Sequence, residues 1–148
     1  MALTANSHFN NILCSSVYII FSLTLYFAKF SAMLSNILSL NDSCFEREVS
    51  RAGLFIVYFW SPSCAPCKVA SACVERVAEK FSGLLSVGKA NVLECPRMVE
   101  KYSVLAVPTF LFFANGVLVE RIVGFSGEGR ILDTVREILL KCPVASTF

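Results

Sequence analysis

Histidine is almost missing from this 148-residue chain: the single one, His8, has no base or metal-ligand partner nearby. Its isolation removes histidine-centred acid–base chemistry, and the lack of a second close cysteine pair removes the usual Cys/His zinc patterns. Clustered positive charge is missing too. Lys and Arg number 13 against 11 Asp and Glu, a net charge of +2 without any basic run, so no nucleic-acid footprint is expected. No internal repeat or low-complexity linker occurs, and 55% apolar residues exclude disorder and coiled coil. The length suits one ordinary domain beside any terminal extension. Cysteine, by contrast, is present seven times, at Cys14, Cys44, Cys64, Cys67, Cys73, Cys95 and Cys142. That falls short of a disulfide scaffold, and an odd count leaves at least one thiol without an intrachain partner, which favours thiol chemistry over cross-linking.

Charge is also absent from the first 28 residues. Within 12–28, 13 of 17 residues are apolar, the lower end of what spans a bilayer and also the length of a signal-sequence core. A secretory signal wants a basic start and small residues before the cut. Here no Lys or Arg precedes Lys29, and Tyr26 stands two before Ala28, so a cleaved signal is the weakest reading. The chain divides into an N-terminal hydrophobic extension, 1–33, and a folded body, 34–148. The extension is read as an uncleaved single-span membrane anchor, the alternative being a cytoplasmic protein translated from Met33.

The body alternates strand-like and helix-like runs. Residues 36–40 form a short apolar run, and Ser43 with Glu46 offers a capping box for a helix to Arg51. LFIVYFW at 54–60 is continuously apolar, as expected of a strand buried on both faces. A helix over 65–81 follows, with Val69, Cys73, Val77 and Phe81 on its apolar stripe beside Ala70, Val74 and Ala78. Next come a strand over 84–92 and a short helix from Pro96. Two β-rich runs, 109–114 and 117–123, are joined by Asn115-Gly116, a strong hairpin signal. A last helix covers 128–141, with Ile131, Leu132, Val135, Ile138 and Leu139 facing inward. This order predicts an α/β fold: a central mixed sheet flanked by helices.

Cys64-Ala65-Pro66-Cys67 is a C-x-x-C. Seven cysteines scattered at random would give that spacing about 0.3 times, so its context must carry the argument. The first cysteine lies where a buried strand and a three-residue turn deliver the chain into a long helix. Free amides and the positive end of the helix dipole favour a thiolate there, making Cys64 the better nucleophile. Cys67 lies nearly one turn on, close enough to attack a mixed disulfide at Cys64. Pro66 stiffens the first turn without removing a needed hydrogen bond. Lys68 reads equally as a nearby positive charge or as a solvated helix residue.

With these residues in view, the body from Asn36 to Cys142 resembles the thioredoxin family. Phe59-Trp60-Ser61-Pro62-Ser63-Cys64-Ala65-Pro66-Cys67-Lys68 is similar to the family's active-site loop, Val107-Pro108-Thr109 to its cis-proline loop, Asn115-Gly116 to its last hairpin, and Gly124 to a glycine near the active surface. The resemblance implies a thioredoxin-like fold and a redox-active Cys64–Cys67 disulfide. It also implies a substrate surface of Trp60, Pro66, Val107, Pro108, Thr109 and Gly124. A cis bond before Pro108 would free the Val107 backbone to pair with an extended substrate.

By the same resemblance the activity is reduction of protein disulfides with no cofactor and no metal. The partners are disulfide-containing proteins and an electron donor: a thioredoxin reductase, or a membrane carrier if the body is exported. The domain is expected to be monomeric. Two rivals remain at this level, an extracytoplasmic disulfide-forming oxidant and a polypeptide-binding module with little redox turnover. The first depends on which side of a membrane the body occupies, and departures from the family pattern keep the second open. Tyr58 stands where a buried aspartate is usual and is a poor base at neutral pH. Lys89 loses that acid as its companion, while Ser63 and Ala65 replace a tryptophan and a glycine beside the dithiol. Cys73 reads as a core residue, Cys44 and Cys142 lie near helix ends, and Cys95 is either a bland loop residue or an accessible third thiol open to oxidation.

Overall fold

A computed structural model describes residues 37–143. The apolar stretch 12–28, His8, Met33 and the boundary between extension and body lie outside the described residues. Among the described residues no helix is long and apolar enough to cross a membrane.

The chain runs β1 (Ile37–Leu40), α1 (Phe45–Arg51), β2 (Leu54–Trp60), α2 (Ala65–Lys80), β3 (Ser86–Asn91), α3 (Pro96–Lys101), β4 (Thr109–Ala114), β5 (Val117–Val123) and α4 (Glu128–Lys141). The strands form one sheet in the order β1-β3-β2-β4-β5. β1 and β2 both pair in parallel with β3, whereas β4 runs antiparallel to β2 and to β5. The sheet is mixed, as its alternation of crossovers with one hairpin requires.

β2 is the axis of this arrangement. Its side chains alternate between two cores. Leu54, Ile56 and Tyr58 join Phe110 and Phe112 of β4 beneath α2 and α4, which contribute Ala70, Val74, Val77, Ile131, Val135 and Ile138. Phe55, Val57 and Phe59 join Leu111 and Phe113 on the other face, covered by Phe45 and Val49 of α1 and Met98 of α3. A strand clothed on both sides must be apolar throughout, which is why LFIVYFW carries no polar alternation. The hairpin forms as expected: Asn115 and Gly116 both have positive φ, 50° and 82°, the pattern of a type I′ turn.

Three local expectations are corrected. The Ser43–Glu46 capping box does not form, since α1 has no side-chain cap. Asn41 organises that turn instead, its Oδ1 accepting from the Ser43 and Cys44 amides at 3.0 and 3.1 Å and from the Ser43 hydroxyl. Val69 is 60% exposed, because the buried stripe of α2 is centred on Ala70, Val74 and Val77 and leaves Val69 at its margin. Leu84 and Leu85 belong to the turn rather than to β3, for their amides are taken by the Phe81 carbonyl at the end of α2.

Gly88, in the middle of β3, has no room for a side chain. A Cβ there would lie 2.4 Å from Leu40 Cδ1, 2.7 Å from its Cγ and 3.0 Å from Phe55 Cε1. Leu40 is itself core. Gly88→Ala is expected to cost about 1–3 kcal/mol by overpacking, read as a fall of several degrees in Tm by calorimetry; an unchanged Tm would contradict the packing described.

Candidate active site

The sheet brings three loops to one end. β2 and β3 finish there side by side, with Trp60 registered on Asn91, and β4 begins there, with Thr109 registered on Phe59 and on Val123. The Trp60 carbonyl accepts from the Val92 amide at 3.0 Å, extending the β2–β3 ladder to the edge of the site. The chain then turns through Ser61, Pro62 and Ser63, closed by the Cys64 amide donating to the Ser61 carbonyl at 3.2 Å.

Cys64 is the N-cap of α2, with extended backbone (φ −84°, ψ 104°), and Pro66 falls in the helix's first turn, where no amide donor is needed. The Cys67 amide donates to Cys64 Sγ at 3.3 Å. A sulfur thus occupies the place that Ser, Thr or Asp oxygens fill in ordinary caps, facing the unpaired amides of the helix mouth. Cys64 and Cys67 are joined as a disulfide, with Cα atoms 5.3 Å apart. The two sulfurs are unequal in access: Cys64 is half-buried, while Cys67 is only 3% exposed.

The 106–109 loop leads into β4 beside the end of β2. The Val107–Pro108 bond is cis. Pro108 and Thr109 are buried, Val107 half-buried. The Thr109 hydroxyl donates to the Ala106 carbonyl at 2.7 Å, and the Gly124 amide donates to the Pro108 carbonyl at 2.7 Å. Gly124 has φ +80°, a conformation that favours glycine. Trp60, Cys64 and Val107 pack on the same core, while Pro66 is exposed on the helix's first turn. Of the residues singled out from the sequence, Trp60, Cys64, Pro66 and Cys67 thus lie at the β2–α2 junction, and Val107, Pro108 and Thr109 lie where β4 begins beside it, with Gly124 bonded to Pro108.

Beneath the dithiol is a contact that composition and spacing did not reveal. The buried Tyr58 hydroxyl donates to the Cys67 carbonyl at 2.7 Å, and its ring stacks on Phe110 with centroids 5.1 Å apart. Burial pushes the phenol up to about 12. A tyrosine inside an otherwise apolar strand is itself a signal, because a buried phenol needs a partner. Lys89, the next residue across the sheet, turns to α2: its ammonium donates to Ser71 Oγ at 2.6 Å and to Glu75 Oε1 at 2.8 Å. It ties β3 to α2. Lys68 is exposed.

The family sequence model described as Thioredoxin matches residues 36–137. Thioredoxin 1 from a Nostoc species is 32% identical over 99 residues, 66% of this chain and 92% of that protein. An M-type chloroplastic thioredoxin from Spinacia oleracea is 31% identical over 112 residues, 75% of this chain and 62% of that longer protein. Among solved structures, a mutant thioredoxin from Halobacterium salinarum superposes with a TM-score of 0.65 at 27% identity, covering 70% of this chain and 90% of its own.

The remaining described cysteines stand apart from the dithiol. Cys73 is a core residue of α2 that also accepts from Arg76 at 2.9 Å, while Cys44 and Cys142 are half-buried near helix ends. Cys95 corrects the accessible-thiol reading. It is fully buried and donates to the Leu40 carbonyl at 3.3 Å. Burial foremost, then Asp42, Glu94 and Cys44, pushes its thiol up to about 11. It is therefore protonated throughout the neutral range. Treatment of the folded protein with iodoacetamide at pH 8, followed by peptide mass spectrometry, is expected to leave Cys95 unmodified until the chain is unfolded; ready labelling in the native state would overturn this placement.

Proposed function

Since this chain belongs to the thioredoxin family of thiol–disulfide oxidoreductases, we propose that it acts as a protein-disulfide reductase in which Cys64 attacks and Cys67 resolves. The observation that carries this reading is the inequality of the two sulfurs within one helical turn. Cys64 is reachable from solvent and receives the Cys67 amide, whereas Cys67 is enclosed.

In the reduced protein the Cys64 thiolate is stabilised by the amides of the α2 mouth. Its sulfur attacks one sulfur of a substrate disulfide. The substrate S–S bond breaks, and the electron pair leaves on the second substrate sulfur, which takes a proton. Cys67 then attacks Cys64 Sγ, closing the Cys64–Cys67 disulfide and expelling the other substrate sulfur as a thiol. Two protein thiols are oxidised and one substrate disulfide is reduced. No organic cofactor enters the cycle.

The turn built from Val107, Pro108 and Thr109, held by Gly124 and flanked by Trp60 and Pro66, is the surface proposed to receive the polypeptide around the substrate disulfide. Backbone pairing there would bind with little side-chain selectivity. Electrons return through a reductase partner, and the domain is proposed to work as a monomer. The uncharged apolar stretch 12–28 supports a membrane-tethered form; the N-terminal peptide of the mature protein, read by mass spectrometry, distinguishes tethering from a start at Met33.

In an insulin reduction assay with dithiothreitol as donor, the wild-type chain is expected to turn over. Cys64→Ser is expected to fall to the uncatalysed rate, and Cys67→Ser, mixed with insulin after dithiothreitol is removed, to hold a covalent adduct visible on a non-reducing gel. Equal rates for wild type and Cys64→Ser would refute the assignment.

A further inference from the structure

The disulfide closes over an interior that offers no proton acceptor. Among the described residues the one buried polar or charged side chain besides Tyr58 and the thiols is Thr109, already engaged with the Ala106 carbonyl. The charged groups on the elements packed around Tyr58 are occupied or outside. From β3, Lys89 is bonded to Ser71 and Glu75. From α2 and α4, Arg76 and Glu128 bind each other at 2.6 Å, and Lys68 is exposed. β4 presents Phe110, and α4 presents Ile131 and Val135. Among the described residues, the side-chain hydroxyl bonded to the resolving cysteine's peptide is that of Tyr58. It is a donor to the Cys67 carbonyl, 2.7 Å away, and its ring is held flat against Phe110.

Resting on the reductase reading, we propose that Tyr58 is a positioning residue for the second half of exchange: it pins the Cys67 peptide so that the resolving sulfur stays within reach of Cys64, without serving as its base. In the reduced protein and in the mixed disulfide alike, no Cys64–Cys67 bond holds the first turn of α2 together. The hydrogen bond from β2 to the Cys67 carbonyl does so instead, and it runs from a ring that cannot tilt without leaving Phe110. Well-oriented attack depends on such fixing. The phenol cannot also take the proton, because burial holds it protonated up to about 12. As Cys67 Sγ bonds to Cys64 Sγ and the substrate sulfur departs with the electron pair, the Cys67 proton goes to that departing thiolate or to solvent.

The test uses the full reduced chain with less than one equivalent of an aromatic disulfide whose two thiolate halves absorb on release. The first release reports attack by Cys64, and the second reports resolution by Cys67. Tyr58→Phe, which keeps the ring and removes only the hydroxyl, is expected to slow the second release about fivefold and leave the first within about twofold. An unchanged second release, or equal slowing of both, overturns the proposal. In wild type the second release is expected to rise with pH through a single inflection, since attack needs only the Cys67 thiolate. A second inflection would reveal another acceptor and overturn the absence of an interior base. If wild type releases only the first half, the reductase reading itself fails; if it releases both and Tyr58→Phe matches it, only the role of Tyr58 falls.

Discussion

The two-sided burial of β2 is the constraint from which the site follows. Because alternate residues of Leu54–Trp60 feed two separate cores, sliding the strand by one position would exchange every side chain between them. The strand's end is consequently fixed against β3 and β4, and with it the turn that starts α2. Cys64 is placed at the helix mouth by this registration rather than by contacts of its own. Its sulfur needs only the local amide of Cys67 to become the cap.

From that placement comes a division of labour between neighbours. One sulfur faces solvent beside the Val107–Pro108 turn, and the other is enclosed against Ala70, Val74 and Tyr58. A helix presents positions three apart on nearly the same side, so the two are within bonding reach while differing in access. The interior below is apolar apart from Tyr58. The tyrosine supplies length and a donor where a shorter acidic side chain would supply charge, and Lys89 is drawn away to Ser71 and Glu75. Chemistry at the dithiol thus depends on the helix mouth and the solvent side.

Much of this was legible in the linear chain, for identifiable reasons. Patterns set by local physics survived: the unbroken apolar run of β2, the Asn115-Gly116 turn with its positive φ values, the apolar stripe on α4, and the position of Cys64 before a helix. The Val107–Pro108 pairing was legible through family resemblance. What failed depended on choices between near-equal local partners or on distant packing. Asn41, two residues before Ser43, captured the Ser43 amide that the Glu46 side chain of a capping box would have used. Val69 lay one position off the buried stripe. Cys95 looked like a loop thiol because nothing adjacent shows that Leu40, 55 residues away, supplies its acceptor. The Tyr58–Cys67 bond joins a strand to a helix across nine positions and emerges only from their packing.

The central claim is that the folded helix mouth, and not the cysteine spacing, makes Cys64 reactive. It is tested most directly by the rate at which limiting iodoacetamide alkylates Cys64 at pH 7 in the reduced full chain, compared with the same chain unfolded in urea. Alkylation at least about tenfold faster in the folded state is the expected result. Equal rates, or slower reaction in the folded protein, would contradict the account.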